Sequence, residues 1–477
     1  MSTVDRQSVS SYVVDQHTDR LANGLTTLLF AFHLGLIVVA HATDSVLAWH
    51  LAASTIVLAA VLGCRLAVDS ARDATRRRLG ILVILLSAAA ALGVVYRSAT
   101  PGFGFGPNRT LSLVVVFLVI VSFLLLVTDA RQYTRGQWAA IGCFAILAAV
   151  YFAHTLTYAP SSAQSRWPVW SLVVMGGSLV VIPRLVPERM FLWVLSRLAA
   201  VVVLLGLATY VVGDYTLWML EVRQWSGSPS VPGVETDVTI LRSIFRNPNS
   251  LGVLAFTGLV AAAVEFHRSV ATRRPLNATV TAALAAVCGL GLFLSNARAS
   301  MLAAAVAIAI YTGYVVGGRR AVPVVVVATV LTIVGFLLGM YVGAIDISDS
   351  NRFDLWAGSL AAVRDGPLLF GYGSPPGPII ESYLSGGLSA SPHNSYLSVF
   401  VRVGLVGGLA YLCLVVGAVV AGTLRYRDVD VAMLALAVGW AVHQLFESYT
   451  LFWWSPGAVL GTLAIGYLLF GDRYSNN

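Results

Sequence analysis

The sequence contains no lysine, and it has few charged residues of any kind. All 30 basic residues are arginine, only 11% of the 477 residues are charged, and 58% are hydrophobic. Since about 25% of the residues of a soluble domain are charged, this composition predicts an integral membrane protein. The absence of lysine also excludes a P-loop, a pyridoxal-phosphate Schiff base and a lysine nucleophile, because each of these needs the lysine amine.

Cysteine is also scarce. The four cysteines lie within apolar runs, at Cys64, Cys143, Cys288 and Cys413. This placement favours neither a disulfide framework nor a zinc site. The net charge of +8 does not predict a nucleic-acid partner, because the arginines are scattered through short connecting loops, where membrane topology explains them better.

Apolar windows of about 20 residues, the length that crosses the hydrocarbon core of a bilayer, recur along the whole chain. They start near residues 21, 45, 79, 110, 138, 169, 191, 249, 277, 299, 321, 394, 429 and 452. The pattern predicts an all-α fold, a polytopic transmembrane bundle of about fourteen helices, with about twelve to fourteen as the range.

The arginines predict how this bundle is oriented in the plasma membrane. A cluster at 72–78 separates the second and third windows, and alternate loops after it also carry arginine. Positively charged loops stay in the cytoplasm, so we expect both termini there. The predicted parts are cytoplasmic tails at 1–20 and 472–477, transmembrane helices at 21–212, 249–343 and 394–471, and two larger extracytoplasmic loops at 213–248 and 344–393.

The two larger loops differ in character. The first contains the segment VRQWSGSPSVPG, which predicts a structured but helix-poor excursion. In the second, Ser350 is a candidate N-cap for a short helix that ends at the Asp365-Gly366-Pro367 break. Apolar residues recur in it at intervals of three and four, so we expect this helix to lie in the membrane interface.

Several arginines lie at or just beyond the predicted outer helix ends, where the topology rule disfavours them. They are Arg242, Arg246, Arg298 and Arg352. A guanidinium binds phosphate with two parallel hydrogen bonds, so a set of them would suit a lipid diphosphate. The alternative for any single one is that it reaches lipid headgroups or pairs with a carboxylate of the loops.

Histidine supplies the candidate general base. His393 lies in SPHNSY immediately before a long apolar window, where a neutral imidazole would accept a proton from an attacking hydroxyl. The alternative is a helix-entry histidine that makes only local hydrogen bonds. His443 and Glu447, one helical turn apart, are interpreted as a structural pair, and the alternative is a pair that supports a reacting group. The Asp428-Val429-Asp430 motif is interpreted as helix N-terminal charges rather than as the metal-binding signature of enzymes that use nucleotide sugars.

The order of five motifs resembles the O-antigen ligase and polymerase family of polytopic glycosyltransferases. The motifs are FRNPNSLG, LFLSNARASM, NRFDLW, PLLFGYG and SPHNSYL, and the resemblance covers roughly residues 240–450. It implies glycan transfer at the outer face of the membrane, from a polyprenyl-diphosphate-linked donor to a glycan or lipid-sugar hydroxyl, with no metal and no cofactor. Carried over onto this chain, it implies that Arg298 and Arg352 bind the diphosphate and that His393 orients or deprotonates the acceptor.

Four further residues are candidate contacts to the diphosphate or the glycan, namely Arg242, Arg246, Asn394 and Trp356. We predict direct displacement with inversion at the anomeric carbon. The alternative function is a flippase or transporter for the same lipid-linked glycan. Among transferases, a polymerase, a ligase and a protein O-glycosyltransferase differ only in the acceptor, and the sequence favours a polymerase slightly.

Overall fold

The computed structural model describes residues 133–158, 175–185, 188–217, 220–227, 238–345, 351–373, 375–384, 391–449 and 455–471. The predicted windows that start near 21, 45, 79 and 110 lie outside these residues, and the window near 169 lies partly outside them. The count of about fourteen helices therefore stays a prediction. The described residues from 133 to 214 and from 222 onward belong to one compact unit, and the segment 215–221 is assigned to a second one.

The described chain is built mainly from helices. In chain order they are α1 (Arg135–Tyr158), α2 (Ile182–Leu185, preceded by a π-helical turn at Gly177–Val181), α3 (Glu188–Val212), α4 (Pro248–Ala271), α5 (Pro275–Leu294), α6 (Arg298–Gly317), α7 (Ala321–Tyr341), α8 (Arg352–Asp365), α9 (Pro376–Glu381), α10 (Ser395–Leu424), α11 (Val431–His443) and α12 (Pro456–Phe470). Seven of them are long and apolar enough to cross a membrane: α1, α3, α4, α5, α6, α7 and α10.

Three strands lie between α3 and α4: β1 (Tyr215–Leu217), β2 (Leu220–Gly227) and β3 (Val238–Ser243). In β2 and β3 the segments 223–227 and 238–243 pair antiparallel. The all-α prediction is incomplete in this respect. The apolar and polar residues of Leu220 to Arg223 alternate in the way that is typical of a half-buried strand, and Val222 and Leu241 are buried.

Ion pairs gather three helix ends at one end of the bundle. The Arg268 guanidinium of α4 lies 2.9 Å from the Glu188 carboxylate of α3 and 3.4 Å from the Asp430 carboxylate before α11. Asp430 also caps α11, since its Oδ1 accepts hydrogen bonds from the backbone N–H groups of Ala432 and Met433. This confirms the interpretation of that carboxylate as a helix N-terminal charge.

Helix α10 is interrupted at Gly404, where φ is 63° and ψ is −163°. The segment 368–373 supplies the hydrogen bonds that the helix loses there. Leu405 N–H donates to Leu368 O (2.8 Å), Val406 N–H to Leu369 O (3.1 Å), Tyr372 N–H to Val401 O (3.0 Å) and Gly373 N–H to Arg402 O (2.9 Å). A Cβ atom on Gly404 or on Gly371 would collide with the facing backbone. Because unpaired backbone groups are costly in a bilayer, this exchange lets an apolar helix bend.

Helices α11 and α12 are shorter than their predicted windows. At 13 residues, α11 is about 20 Å long and falls short of the roughly 30 Å of hydrocarbon. Its side chains are almost all buried, and the backbone carbonyls of the segment that follows it accept hydrogen bonds from within the protein. The Gln444 carbonyl accepts from the Ser395 N–H at 2.8 Å, and the Glu447 carbonyl accepts from the Ser395 hydroxyl at 2.6 Å.

Candidate active site

The opposite end of the bundle collects the predicted site residues. The first turn of α4, the α5–α6 turn, the start of α8, the start of α10 and the chain after α11 all lie there. Gly252 makes one of these contacts close, because a Cβ atom at that position would lie 3.0 Å from Ser295 Oγ and even closer to Ala297 Cβ. The turn that precedes Arg298 therefore rests directly on α4.

Glu447 connects three of these elements. The Asn249 side-chain amide of α4 donates to Glu447 Oε1 at 2.9 Å. The His393 Nδ1 atom lies 3.9 Å from Glu447 Oε2, with the two side chains 43% and 18% exposed. At this distance the carboxylate forms an ion pair with a protonated imidazole. The more exposed imidazole is thus reached by solvent, and the more buried carboxylate lies behind it.

Local backbone geometry holds His393 in place. Its φ is 43°, in the left-handed region that non-glycine residues rarely adopt. The next residue, Asn394, is buried and caps α10, since its side-chain oxygen accepts from the Leu397 N–H at 3.1 Å. The Asn394 N–H in turn donates to Ser448 Oγ at 3.0 Å, next to Glu447 in the chain. Asn394, the residue after His393, is therefore bonded to Ser448, the residue after Glu447.

Helix α8 brings Arg352 and Trp356 to the same place. The short helix that the sequence predicted is confirmed, although the residue before it is Asn351, whose φ is 62° and whose side chain makes no capping hydrogen bond. The predicted cap, Ser350, lies outside the described residues. Trp356 Nε1 donates to the Pro392 carbonyl at 3.1 Å. The Arg352 guanidinium lies 5.5 Å from the centre of the Phe446 ring. Phe446 is the residue that precedes Glu447.

Arg298 begins α6 and its side chain is exposed. The turn before it passes through Asn296, whose φ is 54°, and the Arg298 N–H donates to the Asn296 carbonyl at 3.1 Å. The guanidinium therefore extends from a short, backbone-constrained turn rather than from a long mobile loop.

The two remaining arginines are placed differently from each other. Arg242 of β3 is only 9% exposed, and its guanidinium lies 5.7 Å from the centre of the Trp225 ring in β2. Arg246 is exposed, and it lines a cavity of ≈ 260 Å³ together with Asn247 and Asn249. The structure thus gives Arg242 a packing contact and places Arg246 at an opening.

His443 belongs to the structural support below this site. It is buried, with Nε2 3.0 Å from Ser300 Oγ of α6 and Nδ1 3.0 Å from the Tyr449 hydroxyl. Burial raises the pKa of Tyr449 well above its ordinary value, so the phenol stays neutral. These contacts tie α6 to the chain after α11. Within the ranges that the structure describes, no three His, Cys, Asp or Glu side chains come together as a group.

Sequence reasoning missed the partners of Glu447. It paired Glu447 with His443 alone, and the Glu447 carboxylate does act electrostatically on that imidazole. The helix α11 ends at His443, and the chain beyond it brings Glu447 to His393 and Asn249 as well. Asn249 lies in the FRNPNSLG motif, and that motif was the available signal.

Seven apolar helices with a polar cluster at one end define a polytopic helical membrane protein. The model of the O-antigen ligase family matches residues 283–412. The matched range contains Arg298, Arg352 and His393, whereas Asn249 and Glu447 lie outside it. The match confirms the resemblance that the motifs indicated and supports an O-antigen ligase/polymerase-like family. A comparison with curated proteins finds no match.

Proposed function

We propose that the protein is a membrane glycosyltransferase that transfers or polymerises glycan repeat units from a polyprenyl-diphosphate-linked donor onto a sugar hydroxyl. The family match supports a transferase of this general kind and does not favour the transporter alternative. The observation that carries the proposal is the meeting of His393 with Glu447 at the end of the bundle where Arg298 and Arg352 begin their helices. In this proposal neither a metal ion nor a cofactor takes part.

The charge of the short connections supports an extracytoplasmic position for this site. At the opposite end of the bundle, the connections 272–274, 318–320 and 425–430 each contain two arginines. The α5–α6 connection at the site end, residues 295–297, contains none, and a single arginine, Arg298, begins the helix that follows it. Because positive loops stay in the cytoplasm, we assign the arginine-bearing connections to the cytoplasm and the site to the outer face of the plasma membrane.

The proposed reaction is a single displacement. The acceptor hydroxyl oxygen attacks the anomeric carbon of the donor, the bond between that carbon and the diphosphate oxygen breaks, and its electron pair stays on the diphosphate. The hydroxyl proton passes to His393, and the Glu447 carboxylate stabilises the imidazolium that forms. Arg298 and Arg352 stabilise the negative charge that develops on the leaving diphosphate. Attack opposite to the leaving group inverts the anomeric centre.

Reconstitution in proteoliposomes tests this function. With a lipid-diphosphate glycan supplied at the outer face, we expect release of polyprenyl diphosphate and formation of a new glycosidic bond. A ladder of product lengths indicates a polymerase, one discrete product that requires an added lipid-sugar acceptor indicates a ligase, and a glycosylated polypeptide indicates a protein O-glycosyltransferase. Donor that changes leaflet with its diphosphate linkage intact contradicts the transferase proposal.

The stereochemistry of the product tests the mechanism separately. We expect NMR of the product to show the anomeric configuration opposite to that of the donor. Retention, or a glycosyl adduct detected by intact-protein mass spectrometry, contradicts direct displacement while leaving glycan transfer itself in place.

A further inference from the structure

A cavity of ≈ 260 Å³ lies beside the residues that support His393. It opens between the β2–β3 hairpin, the first turn of α4 and the α5–α6 turn. Its lining includes Trp225, Arg246, Asn247, Asn249, Ser295 and Asn296. Ligand pockets of proteins typically measure about 300–1,000 Å³. This cavity lies just below that range, which suits one sugar ring rather than a lipid tail or a string of sugars.

The chemistry of the lining is also that of a sugar site. Trp225 is 47% exposed and offers an indole face, and the weakly positive C–H face of a pyranose packs on the negative face of an aromatic ring. The Arg242 guanidinium packs against the same indole, which holds the ring in place. Asparagine amides each carry both donors and acceptors, as sugar hydroxyl and acetamido groups require.

The cavity also lies next to the reacting groups. Asn249 lines it and donates to Glu447 at 2.9 Å, and Glu447 in turn faces His393. On another side the lining residue Asn296 is two residues before Arg298, and Arg246 contributes a cation to the lining itself. A sugar bound here would lie between the proposed proton acceptor and cations that suit a phosphate.

We propose that this cavity binds the pyranose that is attached directly to the diphosphate of the donor. The proposal rests on the proposed function, since it assumes a lipid-diphosphate donor. The first sugar must lie within a few bonds of the phosphates, and an arginine in the lining meets that requirement. An acceptor sugar has no such need for neighbouring cations.

Equilibrium binding to the full-length protein in nanodiscs tests the assignment without turnover. The two probes are a bare polyprenyl diphosphate and the same lipid carrying one N-acetylhexosamine. We expect the wild type to bind the sugar-bearing probe more tightly than the bare lipid. Trp225→Ala should weaken binding of the sugar-bearing probe by about tenfold and leave binding of the bare lipid unchanged. Trp225→Phe, which keeps an aromatic face, should retain most of the difference.

A second variant, outside the β2–β3 hairpin, distinguishes loss of a sugar contact from misfolding of that hairpin. Asn296→Gly keeps the left-handed backbone, which glycine adopts freely, and removes one amide from the lining, so it should weaken only the sugar-bearing probe. Trp138→Ala is the matched control, because Trp138 is similarly exposed, at 49%, but lies at the start of α1, near the other end of the bundle. It should change neither affinity.

Four results overturn the proposal. Equal weakening of both probes means that Trp225 acts through the diphosphate or the fold. No weakening of either means that the cavity does not take the donor sugar. Unchanged donor binding with a raised KM for the acceptor assigns the cavity to the acceptor instead. If the wild type binds neither probe, the donor of the proposed function fails as well, which separates that failure from a failure of the cavity alone.

Discussion

Two arginines at each end of the helical bundle have contrasting surroundings. At one end the Arg268 guanidinium pairs with two carboxylates from other parts of the chain, and Arg319 donates to three backbone carbonyls between α10 and α11. At the other end Arg298 and Arg246 are exposed, and Arg298 follows the turn in which Asn296 has a φ of 54°. The first set stabilises the fold, whereas we propose that the second set binds the donor.

The sharpest test of this comparison replaces one arginine at each end of the bundle with glutamine. We expect Arg298→Gln to lower turnover by about 10²–10³-fold, the usual effect of removing a group that stabilises developing negative charge, with little change in thermal unfolding. Arg268→Gln should leave turnover per folded molecule near that of the wild type. It should also cost roughly 1–2 kcal/mol of stability, because Glu188 and Asp430 lose a partly buried cation.

The release of polyprenyl diphosphate and the melting temperature are measured for both variants side by side. If Arg298→Gln lowers the melting temperature as much as Arg268→Gln does, the division of labour between the two ends is wrong. Arg364→Ala is a control at the site end, because the Arg364 side chain is 77% exposed and its guanidinium pairs with the carboxylate of the neighbouring Asp365. It should change neither property.

A second prediction concerns how Glu447 acts. Glu447→Gln keeps a hydrogen-bond acceptor for Asn249 but removes the negative charge that faces His393. We expect kcat to fall by roughly tenfold or more, because the imidazolium loses its counterion, while KM for the donor changes little. Glu447→Asp, which keeps the charge, should recover part of the lost rate. A change confined to KM would assign Glu447 to substrate binding instead.

The broken helix α10 gives a third prediction, with an effect on the fold rather than on the chemistry. Gly404→Ala should destabilise the protein by about 1–3 kcal/mol, because its Cβ atom would collide with the backbone of segment 368–373 at a positive φ. Gly417→Ala on the same helix is the matched control, since a Cβ atom there meets no other atom within 4 Å. Equal melting temperatures for the two variants would contradict the backbone exchange.

The smallest expected effect on turnover comes from the contact below the Arg298 turn. In Gly252→Ala the new Cβ atom would collide with Ala297 in that turn, so we expect a severalfold fall in turnover together with a loss of about 1–3 kcal/mol of stability. Gly289→Ala on α5, whose Cβ atom would meet its nearest neighbour at 3.9 Å, should leave turnover unchanged. A normal rate in Gly252→Ala means that the position of Arg298 tolerates a shift of the turn.

The sequence predicted the helices of the C-terminal half well and the short elements poorly. The windows that start near 249, 277, 299 and 321 correspond to α4, α5, α6 and α7, because proline, arginine or glycine bounds each apolar run. The β2–β3 hairpin was not predicted, although the alternation in Leu220 to Arg223 was visible. The early end of α11 depends on its burial against neighbouring helices, and no local pattern shows that.

The candidate site was predicted residue by residue, but its connections were not. Motif order indicated His393, Arg298 and Arg352. That Glu447 faces His393 follows from the point where α11 ends and from the path of the chain after it. Likewise, the position of Trp225 over a cavity follows from the hairpin register. Both are tertiary facts that spacing along the chain does not encode.

The measurement that tests the central claim most directly is donor consumption by His393→Ala in sealed proteoliposomes, at equal amounts of folded protein. We predict that the release of polyprenyl diphosphate falls by about 10²–10⁴-fold, the range for the loss of a general base, with an unchanged melting temperature. The matched control is His267→Ala at the opposite end, which removes the hydrogen bond and the ring contact of that imidazole with Tyr311 and should keep its rate. Wild-type release by His393→Ala would contradict the account.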